Sequence, residues 1–170
     1  MLLVYSPQLK ILKMKHFRIV LLALVAGFTF SCSSDDNGSS ATSDDMYINF
    51  KLNGELVEMV DPATISTLSS VIAGDKGEGD MFRYIGLWMP NEPTVGSHAI
   101  TVSNPSDLDE YTVDVQIGND ISFEAESGTM TITSIDAEYI EGTFSFTGEY
   151  EGTTYNVTEG EFRAYKPENP

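Results

Sequence analysis

Cysteine is nearly absent from this chain of 170 residues: Cys32 is the only one, so no internal disulfide can form. Histidine is as scarce, with only His16 and His98. Without clustered His and Cys, there is no donor set for a zinc or iron site. Bases are few as well, nine Lys and Arg against 26 Asp and Glu, for a formal net charge of −17. Every acid lies after position 34, whereas Lys10, Lys13, Lys15 and Arg18 precede position 31. From residue 32 onward, five bases face 26 acids, a formal charge of −21. Such a chain repels phosphate backbones and anionic headgroups, which excludes nucleic-acid binding and polybasic membrane docking. There is no G-x-S-x-G elbow, no G-x-G-x-x-G and no Walker loop, so serine hydrolysis and nucleotide cofactors have no candidate cradle. A spanning apolar run is also missing. Ile19 to Phe30 (IVLLALVAGFTF) is twelve residues, about 18 Å as a helix against a hydrocarbon core of about 30 Å.

What is present at the amino terminus is an export signal. Lys13-Met14-Lys15-His16-Phe17-Arg18 is basic, the twelve-residue apolar run follows, and Ser31-Cys32 precedes an abrupt turn to polar sequence. Residues 1–31 form the expected signal peptide, and Met14 makes a more ordinary start than Met1. Thr29-Phe30-Ser31-Cys32 resembles the lipobox of bacterial lipoproteins, with cleavage between Ser31 and Cys32. Thr29 stands where that family usually has Leu, while Ser31 fits the pattern. The resemblance implies a diacylglycerol thioether and an acylated amino terminus on Cys32, and two or more acyl chains anchor stably where one does not. Ser33 to Asp45 is thirteen residues of Ser, Asp, Gly, Asn, Ala and Thr. It has nothing to bury and is expected to be a disordered tether. Its opening SSDD resembles the acidic export signal of surface lipoproteins in Bacteroidota, which favours the cell surface over the periplasmic face of the outer membrane.

From Met46 the signals are those of antiparallel strands. In MYINFKL-NG-ELVEMV, Asn53-Gly54 suits a two-residue type I′ turn, which pairs Leu52 with Glu55, Phe50 with Val57 and Ile48 with Met59. Thr64 to Ala73 is β-branched and Ser-rich, and GDKGEGD follows as a turn. Met81 to Met89 (MFRYIGLWM) is almost continuously apolar, as expected of a central strand covered on both faces. Ala99 to Val102 is a short strand and SNPSDLDE a loop. Tyr111 to Ile117 alternates cleanly, Gly118-Asn119-Asp120 turns into Ile121 to Ala125, and Ser127-Gly128 marks another turn before Thr129 to Ile135. Ile140, Phe144 and Phe146 share one face while Glu141, Thr143, Ser145 and Thr147 share the other. Glu149 to Gly152 turns into Thr154 to Thr158, and Glu161 to Tyr165 completes the set. About nine or ten short strands without a helical period predict an all-β domain over residues 46–166, an antiparallel β-sandwich or a closed barrel, with 167–170 as a tail. Gly142-Thr143-Phe144-Ser145-Phe146 and Gly160-Glu161-Phe162 resemble the carboxy-terminal half of small Bacteroidota lipoproteins of unknown function. The early F-K-L-N-G and Val95-Gly96-Ser97-His98 resemble them too. That resemblance implies fold and envelope location and brings no catalytic residue.

Candidate sites are sparse. No catalytic residue is assigned: Cys32 is committed to lipid, and His98 beside Ser97 is expected at a strand edge rather than in a dyad. Two acidic loops, Asp75, Glu78, Asp80 and Asp107, Asp109, Glu110, offer oxygens for calcium, but neither has EF-hand spacing. The bland reading, two acidic turns, is preferred. Phe82, Tyr84 and Trp88 share a face by period-two spacing. They are core if the strand is covered on both sides and a sugar-stacking row if that face is open. Tyr150 and Tyr155 are weaker versions of the same idea. The expectation is a lipid-anchored, monomeric, non-catalytic binding module of the envelope, without a cofactor, whose ligand is an unidentified protein or glycan. A structural envelope component without a small ligand, or a carboxylate-dependent glycosidase-type hydrolase, are the alternatives.

Overall fold

The computed structural model describes residues 45–104 and 106–168. The signal peptide, Cys32 and the tether as far as Asp44 lie outside the described residues.

Strand β1 (Tyr47–Leu52) and β2 (Glu55–Val60) form the expected hairpin. Asn53 and Gly54 take φ of 50° and 87°, the left-handed pair that a type I′ turn needs. The register is the expected one, Ile48 with Met59, Phe50 with Val57 and Leu52 with Glu55. It buries Ile48, Phe50, Val57 and Met59 together. The β-branched, Ser-rich segment from Thr64 divides into β3 (Ala63–Ser66) and β4 (Ser70–Lys76), which runs on into the segment expected as a turn. Polar side chains make the break: Ser66 Oγ and Ser70 Oγ lie 3.0 Å apart. Ser70 Oγ also donates to Asn91 Oδ1 at 2.7 Å, while Asn91 Nδ2 donates to the Thr67 carbonyl at 2.9 Å. Ser, Thr and Asn side chains compete for backbone partners in this way at turns.

After a short 3-10 turn at Gly79–Met81 come β5 (Arg83–Met89), β6 (Gly96–Ile100), β7 (Thr112–Ile117), β8 (Ile121–Ile135), β9 (Tyr139–Tyr150) and β10 (Thr153–Tyr165). No turn forms at Ser127-Gly128. β8 runs straight through it as a bulge, its register to β9 shifting between Ala125 and Ser127. β10 is likewise one strand where two were expected, with a bulge between Val157 and Gly160. A bulge keeps the ladder while bending it, so local turn residues here mark bends within long strands.

The strands join in one antiparallel order, β2-β1-β10-β9-β8-β7-β5-β4-β3, with β6 pairing to β8. The all-β antiparallel architecture expected from the sequence is the one observed, in the form of an open curled sheet. β8 is its corner: Ile121–Glu124 pair with β7, and Gly128–Ile132 pair with β6 on the same edge. The curl brings β4 over β1 and β2, where a Cβ on Gly74 would lie 3.0 Å from Met59 Sδ and 3.2 Å from Ile48 Cδ1. It also brings Thr64 Oγ1 to the Tyr165 carbonyl at 2.8 Å. β2 and β3 remain the two ends of the order. Asp61, with φ of 51°, and Pro62, with no N–H to donate, turn the chain out of the ladder between them.

Aromatic side chains fill the inside. Phe144 packs against Phe50, Phe146 and Phe162, with centroids 6.1, 6.3 and 6.4 Å away. The G-T-F-S-F and G-x-F segments explain each other. Phe162 pairs across the ladder with Gly142, and Phe144 pairs with Gly160. A Cβ on Gly142 would sit 2.6 Å from Phe162 Cε1, and one on Gly160 would sit 2.5 Å from Phe144 Cδ2. Each ring lies over the other strand's glycine, so the pair of motifs is a packing device.

Candidate functional site

β5 lies between β4 and β7 in mid-sheet. Its inner face is wholly buried through Ile85, Leu87 and Met89. Its outer face carries Tyr84, Gly86 and Trp88, and the two aromatics are only half-buried. A central strand therefore has one open side, and the two alternatives expected for Trp88 meet halfway. The outer row through Gly86 runs Ala73, Gly86, Asp114, Glu124 across β4, β5, β7 and β8. Two small residues are followed by two carboxylates, and Asp114 leans over the space that Gly86 leaves. Its Oδ1 accepts the Trp88 Nε1–H at 2.5 Å, and the Tyr84 hydroxyl and Trp88 Nε1 lie 2.8 and 3.2 Å from where a Gly86 Cβ would be.

This environment acts on ionisation. Burial holds the Asp114 carboxyl above its usual range; the Trp88 hydrogen bond opposes the shift and the Glu124 charge adds to it. Burial, and then the Asp114 charge, raise the Tyr84 phenol. Both follow from disfavouring a charged form away from water.

A loop closes over this face. Ile100 and Tyr111 form a parallel bridge, and the Thr101 N–H donates to the Tyr111 carbonyl at 3.1 Å, so the loop between them is tied at its neck. Glu110 Oε2 accepts the Asn104 N–H at 2.9 Å, and the Asp109 N–H donates to Asp107 Oδ1 at 3.0 Å. Between loop and sheet lies an open groove of about 650 Å³, lined among others by Trp88, Asp107, Leu108, Glu110, Asp114 and Glu124. No Lys, Arg or His stands among the described residues that line it.

The sequence candidates distribute unevenly around this groove. Trp88 lines it, whereas Tyr84 stands outside the lining, beside Gly86 and Asp114. Phe82 lies beyond the start of β5, where its carbonyl accepts the Gly118 N–H at 2.8 Å; the three do not make one continuous platform. Tyr150 and Tyr155 pack at the rim of the core, and Tyr155 stacks on Phe123 at 4.9 Å. Asp107 and Glu110 reach the groove, while Asp75, Glu78 and Asp80 lie exposed near the 3-10 turn. Among the described residues no three His, Cys, Asp or Glu side chains come together as a group able to hold a metal ion. His98 stacks on Tyr111 at 3.9 Å, and its Nε2 lies 2.8 Å from the Thr94 carbonyl. Ser97 Oγ is instead 2.8 Å from Thr131 Oγ1, so the two side chains do not form a dyad.

No sequence motif marks Asp114, Glu124 or Gly86. Their signal is in the alternation: Asp114 is outward in a strand where Val113 and Val115 are inward, and Gly86 interrupts an apolar strand between two aromatics, a mark of close approach. Comparison of the chain with protein-family models, with curated proteins and with solved structures finds no match.

Proposed function

We propose that this chain is a lipid-anchored protein of the cell envelope whose β-domain is a non-catalytic binding module, and that its ligand site is the outer-face groove at Trp88. Cys32 carries the anchor, Ser33 to Asp45 forms the tether, and the SSDD run directs the protein to the surface of the outer membrane. The observation that carries the binding role is Trp88 itself. A large aromatic side chain is held half-open on a sheet face by a hydrogen bond to a half-buried carboxylate, beside a groove of about 650 Å³. That volume is in the range of small-ligand sites. A purely structural component has no need of a half-buried carboxylate on its outer face, where it disfavours the folded, ionised state.

Two measurements test the reading. Proteinase K applied to intact cells is expected to remove the domain, with Cys32→Ala released from the membrane fraction; protection until the outer membrane is opened would reverse the orientation. A thermal-shift screen of the purified protein against oligosaccharides and short peptides is expected to give ligands whose effect disappears in Trp88→Ala. Ligands that stabilise parent and variant equally would place binding elsewhere.

A hydrolase has one specific observation in its favour. Asp114 and Glu124 are directly opposed across β7 and β8, and burial raises the Asp114 carboxyl above its ordinary value, so a carboxylate pair stands in a groove as acid-assisted glycoside cleavage requires. Release of reducing sugar from any oligosaccharide that binds, lost in both Asp114→Asn and Glu124→Gln, would decide for it.

A further inference from the structure

The groove says more about its ligand than that one exists. Four carboxylates line it, from Asp107, Glu110, Asp114 and Glu124, and among the described lining residues there is no base to balance them. An anionic ligand would meet uncompensated repulsion. A neutral one would displace water from Glu124 and Glu110 without replacing it by a counter-charge, which is costly. A cation resolves both problems. Trp88 adds a second constraint. Its N–H is already given to Asp114, so what remains for a ligand is the ring face, which suits either a cation or the C–H face of a sugar ring. The rest of the lining mixes Ser69, Ser103, Asn104 and Thr112 with Leu108 and Phe123, which suits a body with both hydroxyl edges and C–H faces over a purely hydrocarbon one.

Resting on the binding role proposed above, we infer that the groove takes an amino sugar with its amine free, the sugar ring against Trp88 and the ammonium between Asp114 and Glu124. The charge of the ligand, not its shape alone, is what the site selects.

The test uses the full chain in detergent, with two probes that differ only in the amine: the β-1,4 dimer of glucosamine and its N,N′-diacetylated form. The free-amine dimer is expected to bind at least about tenfold more tightly, the size of effect that a charge-assisted hydrogen bond supplies. Asp114→Asn and Glu124→Gln are each expected to remove about tenfold of that advantage and to leave the acetylated dimer unaffected. Glu58→Gln, on the distant β2, controls for general attraction of cations to an acidic protein. Equal affinity for both dimers would overturn the inference while leaving the groove as a binding site. Binding of neither dimer would overturn it too, and the open screen then judges the binding role separately. A free-amine preference weakened as much by Glu58→Gln as by Glu124→Gln would reduce it to bulk electrostatics and overturn it as well.

Discussion

Asp114 and Gly86 face each other across β7 and β5, and the carboxylate of the first occupies the space that a side chain on the second would need. Everything distinctive about the outer face follows from that exchange. Because Gly86 has no side chain, Asp114 can lie down between Tyr84 and Trp88. Lying there, it loses water, gains the indole N–H and becomes harder to ionise.

Replacing Gly86 by Ala is therefore expected to disturb three side chains at once. Gly86 does not need a left-handed backbone, so the cost is overpacking alone, typically about 1–3 kcal/mol. Urea denaturation reads the loss, and a changed Trp88 fluorescence maximum reports that the indole has moved. A variant as stable as the parent, with unaltered emission, would show that Asp114 can rotate away freely.

Asp114→Asn separates charge from shape. The folded protein holds the Asp114 carboxyl above its ordinary value of 3.8, so between those two values the folded state binds more protons than the unfolded one. Its contribution to stability then falls as pH rises through that window and stays low above it. Asn keeps an oxygen for the Trp88 N–H and has no charge to desolvate. The stability of the variant relative to the parent is expected to improve from about pH 3 to about pH 7. A difference that is flat across that range, or of opposite slope, would mean that Asp114 is fully hydrated.

Trp88→Ala and Phe144→Ala test which aromatic residues hold the fold. Phe144 is buried among Phe50, Phe146 and Phe162 and should lose about 3–5 kcal/mol on truncation. Trp88 is half-open and tied by one hydrogen bond, so its loss should be clearly the smaller. Equal losses in paired denaturation curves would make Trp88 a core residue and remove the main support for a ligand groove.

Local chemistry made the early hairpin legible, because Asn53-Gly54 specifies turn type and the turn type specifies register. The face assignment of Ile140, Phe144 and Phe146 was legible for the same kind of reason, since period two needs no tertiary information. Ser127-Gly128 and the residues after Thr158 were not. A glycine in a bulge and a glycine in a turn have the same local preferences, and only the partner strand decides between them. The groove was half legible. Trp88, Asp107 and Glu110 carried signals of their own, but nothing local joins a loop near residue 107 to a strand at residue 88. Asp114 and Glu124 looked like ordinary outward acids until the register of β5, β7 and β8 set them in one row.

The glycines divide into two kinds that one experiment distinguishes. Gly54 has φ of 87° and nothing within 4 Å of where its Cβ would be, so Gly54→Ala should cost only the backbone strain of the left-handed region, about 1–2 kcal/mol. Gly142 has an ordinary backbone but lies under the Phe162 ring, where a methyl has no room. Gly142→Ala should cost a similar or larger amount, about 1–3 kcal/mol, because the methyl meets the Phe162 ring and the Thr131 carbonyl together. Near-ultraviolet circular dichroism tells the two apart. The aromatic signal is expected to survive Gly54→Ala and to change in Gly142→Ala. If both variants keep the parent spectrum, the reciprocal seating of Phe144 and Phe162 on Gly160 and Gly142 is not what holds β9 against β10.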